Sequence, residues 1–221
     1  MEHAVNFDKV VADELLEEVS FTIPAGSFAA AISARQEENE LQVKLMLGLA
    51  KPRSGSITVL GEEPASAPDR VLNALRRRVA VVYPSGGLIS NLKVWENLVL
   101  PLEYYSLYPQ SEIEERGMRA LERVGYAGEL MELPGHLSLY GRRQIGLARA
   151  MLVEPRLVIY DEILAGLSGE QRQAIIEIAG TFHRESPGRT SVFMTANEQA
   201  VREIPVEIRI AMKGSSVHGQ G

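Results

Sequence analysis

The segment most able to do chemistry runs from residue 28 to residue 49. An apolar stretch, Phe28–Ile32, leads into Ser33-Ala34-Arg35-Gln36-Glu37-Glu38-Asn39-Glu40, and an apolar helical pattern follows to Leu45-Met46-Leu47-Gly48-Leu49. Strand, eight-residue loop and helix make the frame of a phosphate-binding loop. Such a loop needs glycines so that backbone N–H groups can fold around phosphate, then a lysine for the terminal phosphates and a hydroxyl for magnesium. With the register set on Gly48, the glycine positions hold Ser33, Gln36 and Glu38, the lysine position holds Asn39, and the hydroxyl position holds Glu40. The cation is gone and acids have arrived. A like-charge pair 4 Å apart costs on the order of 4 kcal/mol at an effective dielectric near 20, so Glu37, Glu38 and Glu40 oppose a polyphosphate. The same acids suit the unpaired N–H groups and partial positive charge of a helix N-terminus, worth roughly 0.3–1 kcal/mol each. Asn39 is the expected cap of that helix.

Composition narrows the partners. The chain has 221 residues, net charge −6 and pI near 5.4, so affinity for nucleic acid through basic residues is not expected. The one dense basic run, Arg76-Arg77-Arg78, reads as a solvated helix end before a strand. There is no cysteine, which excludes disulfides, thiolate metal sites and a cysteine nucleophile. Histidines at 3, 136, 183 and 217 lack metal-ligand spacing. The N-terminus lacks the pattern of a secretory signal, and no apolar run approaches the roughly 20 residues that cross a bilayer. A membrane role is therefore expected to be peripheral, through a partner.

The elements that must position these groups follow from periodicity. Strands are predicted at Val5–Val10, Val19–Ile23, Phe28–Ile32, Ser56–Leu60, Val79–Tyr83, Leu157–Asp161, Thr190–Thr195 and Glu207–Met212. Helices are predicted at Glu40–Leu49, Val94–Tyr105, Glu112–Val124, Arg142–Leu152, Gln171–Arg184 and Glu198–Glu203. Strand–helix alternation implies an α/β fold with a mostly parallel sheet. Early strands joined by tight turns imply a small antiparallel portion. The helix-rich middle implies a helical subdomain, about 88–152, within one domain spanning 1–213, and a polar tail closes the chain at 214–221.

Further segments give these elements a family likeness. Leu47-Gly48-Leu49 with Pro52 and Ser54-Gly55 follows the loop. Val81-Val82-Tyr83-Pro84-Ser85-Gly86-Gly87-Leu88 then leads to Leu92, Val94, Glu96-Asn97-Leu98 and Leu100-Pro101-Leu102. Leu137-Ser138 precedes Leu147-Ala148-Arg149-Ala150, and Leu157-Val158-Ile159-Tyr160-Asp161-Glu162 closes the set. In this order and spacing the chain resembles the ATP-binding cassette (ABC) subunits of transporters, a P-loop NTPase fold, over residues from about 5 to 213. Its 81–102 segment is most similar to the cassettes of bacterial Mla/Mce-type lipid transporters.

The resemblance implies roles position by position. Asp161 matches the magnesium-organising aspartate and Glu162 the water-activating glutamate, although an acidic pair left at a strand end reads equally well. Pro84 replaces the Q-loop glutamine, Leu139 and Tyr140 replace the glycines after Ser138, Ser168 replaces the D-loop aspartate, and Ala196 replaces the switch histidine. Phe7 stands near the adenine-stacking aromatic, with a core role as the reading preferred for it. The expectation is a degenerate cassette that does not hydrolyse ATP, needs no cofactor, and docks on a transmembrane permease at the cytoplasmic face of a bacterial membrane. Leu88, Ile89, Leu92 and Trp95 are the expected docking residues, with Tyr104 and Tyr105 adding aromatic character to the same groove, and lipid is the expected cargo class. A second cassette, self or a competent homologue, is the other expected partner. ATP and magnesium enter only under the alternative of a weakly active ATPase that uses a competent partner's loop against Ser138. A soluble scaffold outside transport is the third reading.

Overall fold

The structure is a computed structural model, and it describes residues 2–106 and 108–212. The polar tail expected at 214–221 lies outside the described residues. Eight strands form where the apolar runs predict them: β1 (His3–Ala12), β2 (Leu16–Pro24), β3 (Phe28–Ser33), β4 (Ser54–Val59), β5 (Val79–Val82), β6 (Leu157–Asp161), β7 (Thr190–Thr195) and β8 (Ile208–Met212). Five of them make a parallel sheet in the order β5-β6-β7-β3-β8. The other three make an antiparallel sheet in the order β2-β1-β4. Strands β6 and β7 are buried at every position, and neither shows the apolar–polar alternation of a half-exposed strand.

The helices are α1 (Gln36–Met46), α2 (Asp69–Arg76), α3 (Val94–Tyr104), α4 (Gln110–Arg123), α5 (Leu139–Leu152), α6 (Gly169–Arg184) and α7 (Glu198–Glu203), with a short 3-10 turn at Pro134–His136. Helix α2 is absent from the predicted set. Val71, Leu72 and Leu75 fall at helical spacing in it, but over eight residues only, between a Pro-containing segment and a run of arginines. The arginines after it are not simply solvated. Arg76 donates from Nε to the Leu47 carbonyl at 3.0 Å, and the Arg77 guanidinium lies 4.2 Å from the centre of the Tyr105 ring.

Two apolar cores flank the parallel sheet. One joins β1, β2 and β4 to α1 and one sheet face, and includes Phe7, stacked on Phe21 at 4.5 Å. Phe7 is 1% exposed and is a core residue. The other joins the opposite face to α3, α4, α5 and α6. Between β5 and β6, helices α3 to α5 pack on one another through Leu98, Val99, Leu102, Ile113 and Leu121.

The loop at 88–93 owes its shape to Asn97. That side chain is fully buried, accepts the Ile89 N–H at 2.7 Å, and donates to the carbonyls of Ile89 and Leu92, each at 2.9 Å. The first N–H groups of α3 are satisfied by carbonyls of Glu132 and Leu130.

Trp95, the only tryptophan, sits where α3 meets α4. A Cβ on Gly117 would stand 2.6 Å from the Trp95 ring, so this crossing requires glycine. Gly117→Ala is expected to destabilise the chain by about 1–3 kcal/mol through overpacking and to red-shift the Trp95 emission. Thermal unfolding and fluorescence of the purified variant check both.

Candidate functional site

The C-terminal ends of β3, β6 and β7 converge beside the N-terminus of α1. In an open parallel sheet such strand ends are where ligands are usually met. The eight-residue loop expected at 33–40 does not form. Helix α1 begins at Gln36, with Arg35 in extended conformation at its cap and no side-chain cap bond. The reason is local. No residue from 33 to 40 has a positive φ, and without glycines the Gln-Glu-Glu run adopts right-handed helix and extends it upstream. Asn39 is consequently not a cap. It lies in the second turn and is fully buried.

Glu38 does what a phosphate-binding loop would do for a ligand, but in reverse. Its carboxylate accepts the Ala34 N–H at 3.2 Å and pairs with Arg35 Nε at 3.2 Å. This is a capping-box contact displaced by one residue, with the third helical residue reaching back to an orphan donor. Glu37 is exposed in the first turn, and Glu40 faces outward to pair with Lys44 at 2.7 Å. Gln36 is also exposed.

Behind Glu38 runs a buried polar chain. The Ser33 hydroxyl donates to Asn39 Oδ1, and Asn39 Nδ2 donates to Glu162 Oε1 at 3.3 Å. The Ala196 N–H donates to the same oxygen, and the Thr195 hydroxyl donates to Glu162 Oε2 at 2.9 Å. Glu162 also holds a left-handed backbone, φ +46°, with its own N–H bonded to the Met194 carbonyl at 2.9 Å. A glutamate in that conformation costs of order 1–3 kcal/mol and persists only where its surroundings over-determine it.

Asp161 is left differently. It is 3% exposed, and its Oδ1 has no hydrogen-bond partner among the described residues. Burial, reinforced by Glu162 and Glu40, pushes its carboxyl up to about 7.

The remaining predicted positions scatter around this cluster. Pro84 is half-buried, and its carbonyl accepts Arg143 Nε at 2.8 Å. Ser138 caps α5 by accepting the Gly141 N–H at 3.1 Å, and Ser168 caps α6 in a reciprocal box with Gln171. Leu139 is exposed and packs near Gly166. Of the expected docking residues, Leu88 and Trp95 pack against the core, Leu92 is half-buried and Ile89 is 42% exposed.

An open groove lies beside the C-terminal half of α3. It holds about 350 Å³ between α2, β5, α3 and α5, with Arg77, Leu100, Tyr104, Tyr105, Arg149 and Val153 on its walls. Of the expected groove residues it contains Tyr104 and Tyr105; Arg143 and Thr195 were not foreseen from the sequence. The adjacent Arg142-Arg143 pair inside an otherwise apolar helix was the available signal for the first.

A parallel five-stranded sheet, a small antiparallel sheet and a helical lobe, with loop, acidic pair and switch segment at one end of the strands, define a cassette of the P-loop NTPase fold. Comparison with known proteins agrees. The MJ0796 bacterial ABC transporter cassette, solved as a dimer, superposes with a TM-score of 0.84 over 97% of each chain at 20% identity. CbiO1 of Clostridium perfringens superposes at 0.82 over 100% of this chain and 89% of that one, also at 20% identity.

Residues 41–165 match the ABC transporter family, and the chain belongs to it. Methionine import ATP-binding protein MetN 1 of Rhodopseudomonas palustris is 30% identical over 202 residues, 91% of this chain and 54% of that protein. MetN of Rhizobium meliloti is 31% identical over 202 residues, 91% and 56%. The probable ribonucleotide transport ATP-binding protein mkl of Mycobacterium tuberculosis is 26% identical over 194 residues, 88% and 54%. The chain spans about half the length of these curated relatives. Among the described residues no helix is long and apolar enough to cross a membrane.

The raised Asp161 value makes a pH prediction. A carboxyl that is raised in the folded chain binds its proton more tightly there than when unfolded. Its contribution to stability is full in acid and is lost as pH rises from the ordinary carboxylate value through about 7. Asp161→Asn is therefore expected to unfold at a higher temperature than the parent at pH 8, by the equivalent of on the order of 2–4 kcal/mol, with the gap closing toward pH 4. Thermal unfolding across that range checks it.

Proposed function

We propose that the chain is a non-hydrolysing cassette subunit of a bacterial ABC transporter, docked on a membrane permease at the cytoplasmic face. The observation that carries this reading is the internal occupation of the phosphate end. The Glu38 carboxylate takes the Ala34 N–H, and Asn39, in place of a lysine, is consumed between Ser33 and Glu162. A magnesium triphosphate does not fit these residues. It would meet the Glu38 charge, find no ammonium, and face a Glu162 whose two oxygens already receive three donors. Glu162 and Asp161 are then vestigial as base and metal ligand, and neither ATP nor magnesium is required.

Docking is supported by the groove beside α3. Tyr104 is 78% exposed and meets Tyr105 edge-on, with ring centres 5.0 Å apart. Arg77 stacks on Tyr105, and no carboxylate lines the groove among the described residues. Exposed aromatics beside an apolar floor suit a short amphipathic helix. Of the six residues expected at the contact, Tyr104 and Tyr105 line this groove, and Leu100 joins them. A second cassette, a further copy or a competent homologue, is the other proposed partner. The lipid reading of the cargo rests on the 81–102 segment alone; the relatives above are named for methionine import and ribonucleotide transport.

Isothermal titration with Mg-ATP is expected to give no binding up to the millimolar range, and a low-micromolar dissociation constant would overturn the reading. Restoring the loop with Glu38→Gly and Asn39→Lys together is expected to create measurable affinity. In a second experiment the chain is expressed with its native permease and purified from detergent-solubilised membranes. Co-purification is expected, and the Tyr104→Ala, Tyr105→Ala pair is expected to lower recovery several-fold. Equal recovery of variant and parent would move the contact elsewhere.

A further inference from the structure

The groove beside α3 joins an apolar floor to three guanidiniums. Strand β5 and helix α5 supply the floor through Val79, Ala80, Val81, Ala150 and Val153. Leu100 and Tyr104, and again Pro101 and Tyr105, stand one helical turn apart at the end of α3 and form two ridges along one wall. Arg76 and Arg77 come from the C-terminal end of α2, and Arg149 comes from α5.

All three are held by neutral groups. Arg76 donates from Nε to the Leu47 carbonyl, and Arg77 lies over the Tyr105 ring. Arg149 donates from Nη2 to the carbonyls of Gly86 at 3.0 Å and Gly87 at 2.8 Å. Among the described residues no carboxylate stands within 4.0 Å of any of them. Carbonyls and a ring fix where a guanidinium points, but they do not cancel its charge. Elsewhere arginines do find acids: Arg116 pairs with Glu112, Arg123 with Glu185 and Arg172 with Glu203. The chain carries a net charge of −6, so three uncancelled cations at one groove reverse the overall sign locally.

Arg77 is exposed and Arg149 half-buried, so one cation stands in solvent and the other is partly withdrawn from it. A partly desolvated cation without a counter-charge favours an anionic partner, and repels a cationic one, more strongly than a cation in open water does. The planar guanidinium fork matches a carboxylate through two parallel hydrogen bonds. Cytoplasmic loops of membrane proteins generally carry an excess of lysine and arginine. A groove edged by three cations turns such segments away and selects an acidic one, which is specificity by repulsion as well as by attraction.

We infer, on the reading that this groove docks a permease, that the segment seated in it is a short amphipathic helix carrying an aspartate or glutamate beside its apolar face. Arg77 and Arg149 receive that carboxylate, while the apolar side chains rest on Val79, Val81 and Leu100. Tyr104 and Tyr105 supply contact area that serves a helix of either charge. The two arginines are therefore the residues that decide which segment is accepted.

The test uses the full chain expressed with its native permease and purified from detergent-solubilised membranes, with Arg77→Glu, Arg77→Gln, Arg77→Lys and Arg149→Gln compared with the parent. Recovery of the Arg77→Glu complex is expected to fall on the order of tenfold or more, because a like charge replaces an opposite one at a partly desolvated contact. Arg149→Gln and Arg77→Gln are expected to fall several-fold, and Arg77→Lys least. Raising salt from about 0.15 M to about 0.5 M is expected to lower recovery of the parent more than that of Arg77→Gln, which already lacks the screened attraction. Each aspartate and glutamate of the permease's cytoplasmic loops is then changed in turn to arginine against Arg77→Glu, and one of these exchanges is expected to restore recovery. Recovery of Arg77→Glu at or above the parent's level, or failure of every acidic exchange to restore it, would overturn the inference. Arg77 is exposed, and an unchanged unfolding midpoint separates a lost contact from a lost fold. Should Arg149→Gln loosen the segment at 86–87, the Arg77 series decides the matter alone. A parent that does not co-purify removes the docking reading itself, whereas a parent and an Arg77→Glu chain recovered equally leave docking standing and remove only the acidic partner.

Discussion

A carboxylate shut into a protein must be met by donors or by a positive charge, or it takes up a proton. Glu162 is such a group, placed at the end of a fully buried strand and turned inward by a left-handed backbone. The chain meets the requirement from α1 and β7. Asn39 comes from α1, Thr195 from the end of β7 and Ala196 from the residue after it. Any one of these could be present for packing. Together they tie the strand ends and the first helix to a single carboxylate, and the geometry of the site follows from that tie.

The start of α1 is the other half of the same arrangement. Asn39 can reach Glu162 only because α1 begins at Gln36 and carries residue 39 inward on its second turn. That early start needs a segment free of left-handed residues, and Ser33, Gln36 and Glu38 provide it. The Glu38 carboxylate then covers the N–H of Ala34, a donor that a phosphate would otherwise find waiting at a helix N-terminus. Loss of the glycines, loss of the lysine and gain of the acids thus act as one structural change.

Much of this was legible in the residues, and what escaped has physical reasons. The buried parallel strands were plain because both of their faces are covered: β6 and β7 show no polar alternation to confuse the period. The site positions came from the family resemblance, and Ser33, Asn39, Glu162 and Ala196 lie on one chain of hydrogen bonds at the end of the sheet. Helix α2 was missed because it is only eight residues long, too short for the repeat of Leu72 and Leu75, which rest on the core, to stand out. The extent of α1 was misjudged because a loop was assumed where the chain had kept only the loop's length. Without glycine, length does not make a loop. Arg143 was missed for another reason: helical periodicity treats every arginine as solvent-facing, and the carbonyl of Pro84 that receives this buried one comes from a distant part of the chain. Trp95 shows the converse error, since a large aromatic near a lobe surface was read as an anchor when Gly117 had opened a slot for it in the core.

Asp161 shows where this internal arrangement stops. Glu162 has three donors, yet the neighbouring carboxylate, also buried, has an oxygen with no partner among the described residues. Burial next to Glu162 and within the field of Glu40 raises its value so far that near neutrality it is poised between acid and anion. A site refined for stability alone would have replaced this aspartate, because an amide or an apolar side chain there avoids the cost of ionisation. Glu162 is held in place by groups that compensate it, whereas Asp161 remains at the strand end without them. The two halves of the acidic pair therefore differ in kind: one is held by donors from α1 and the end of β7, and the other stands beside it with an oxygen that nothing among the described residues meets.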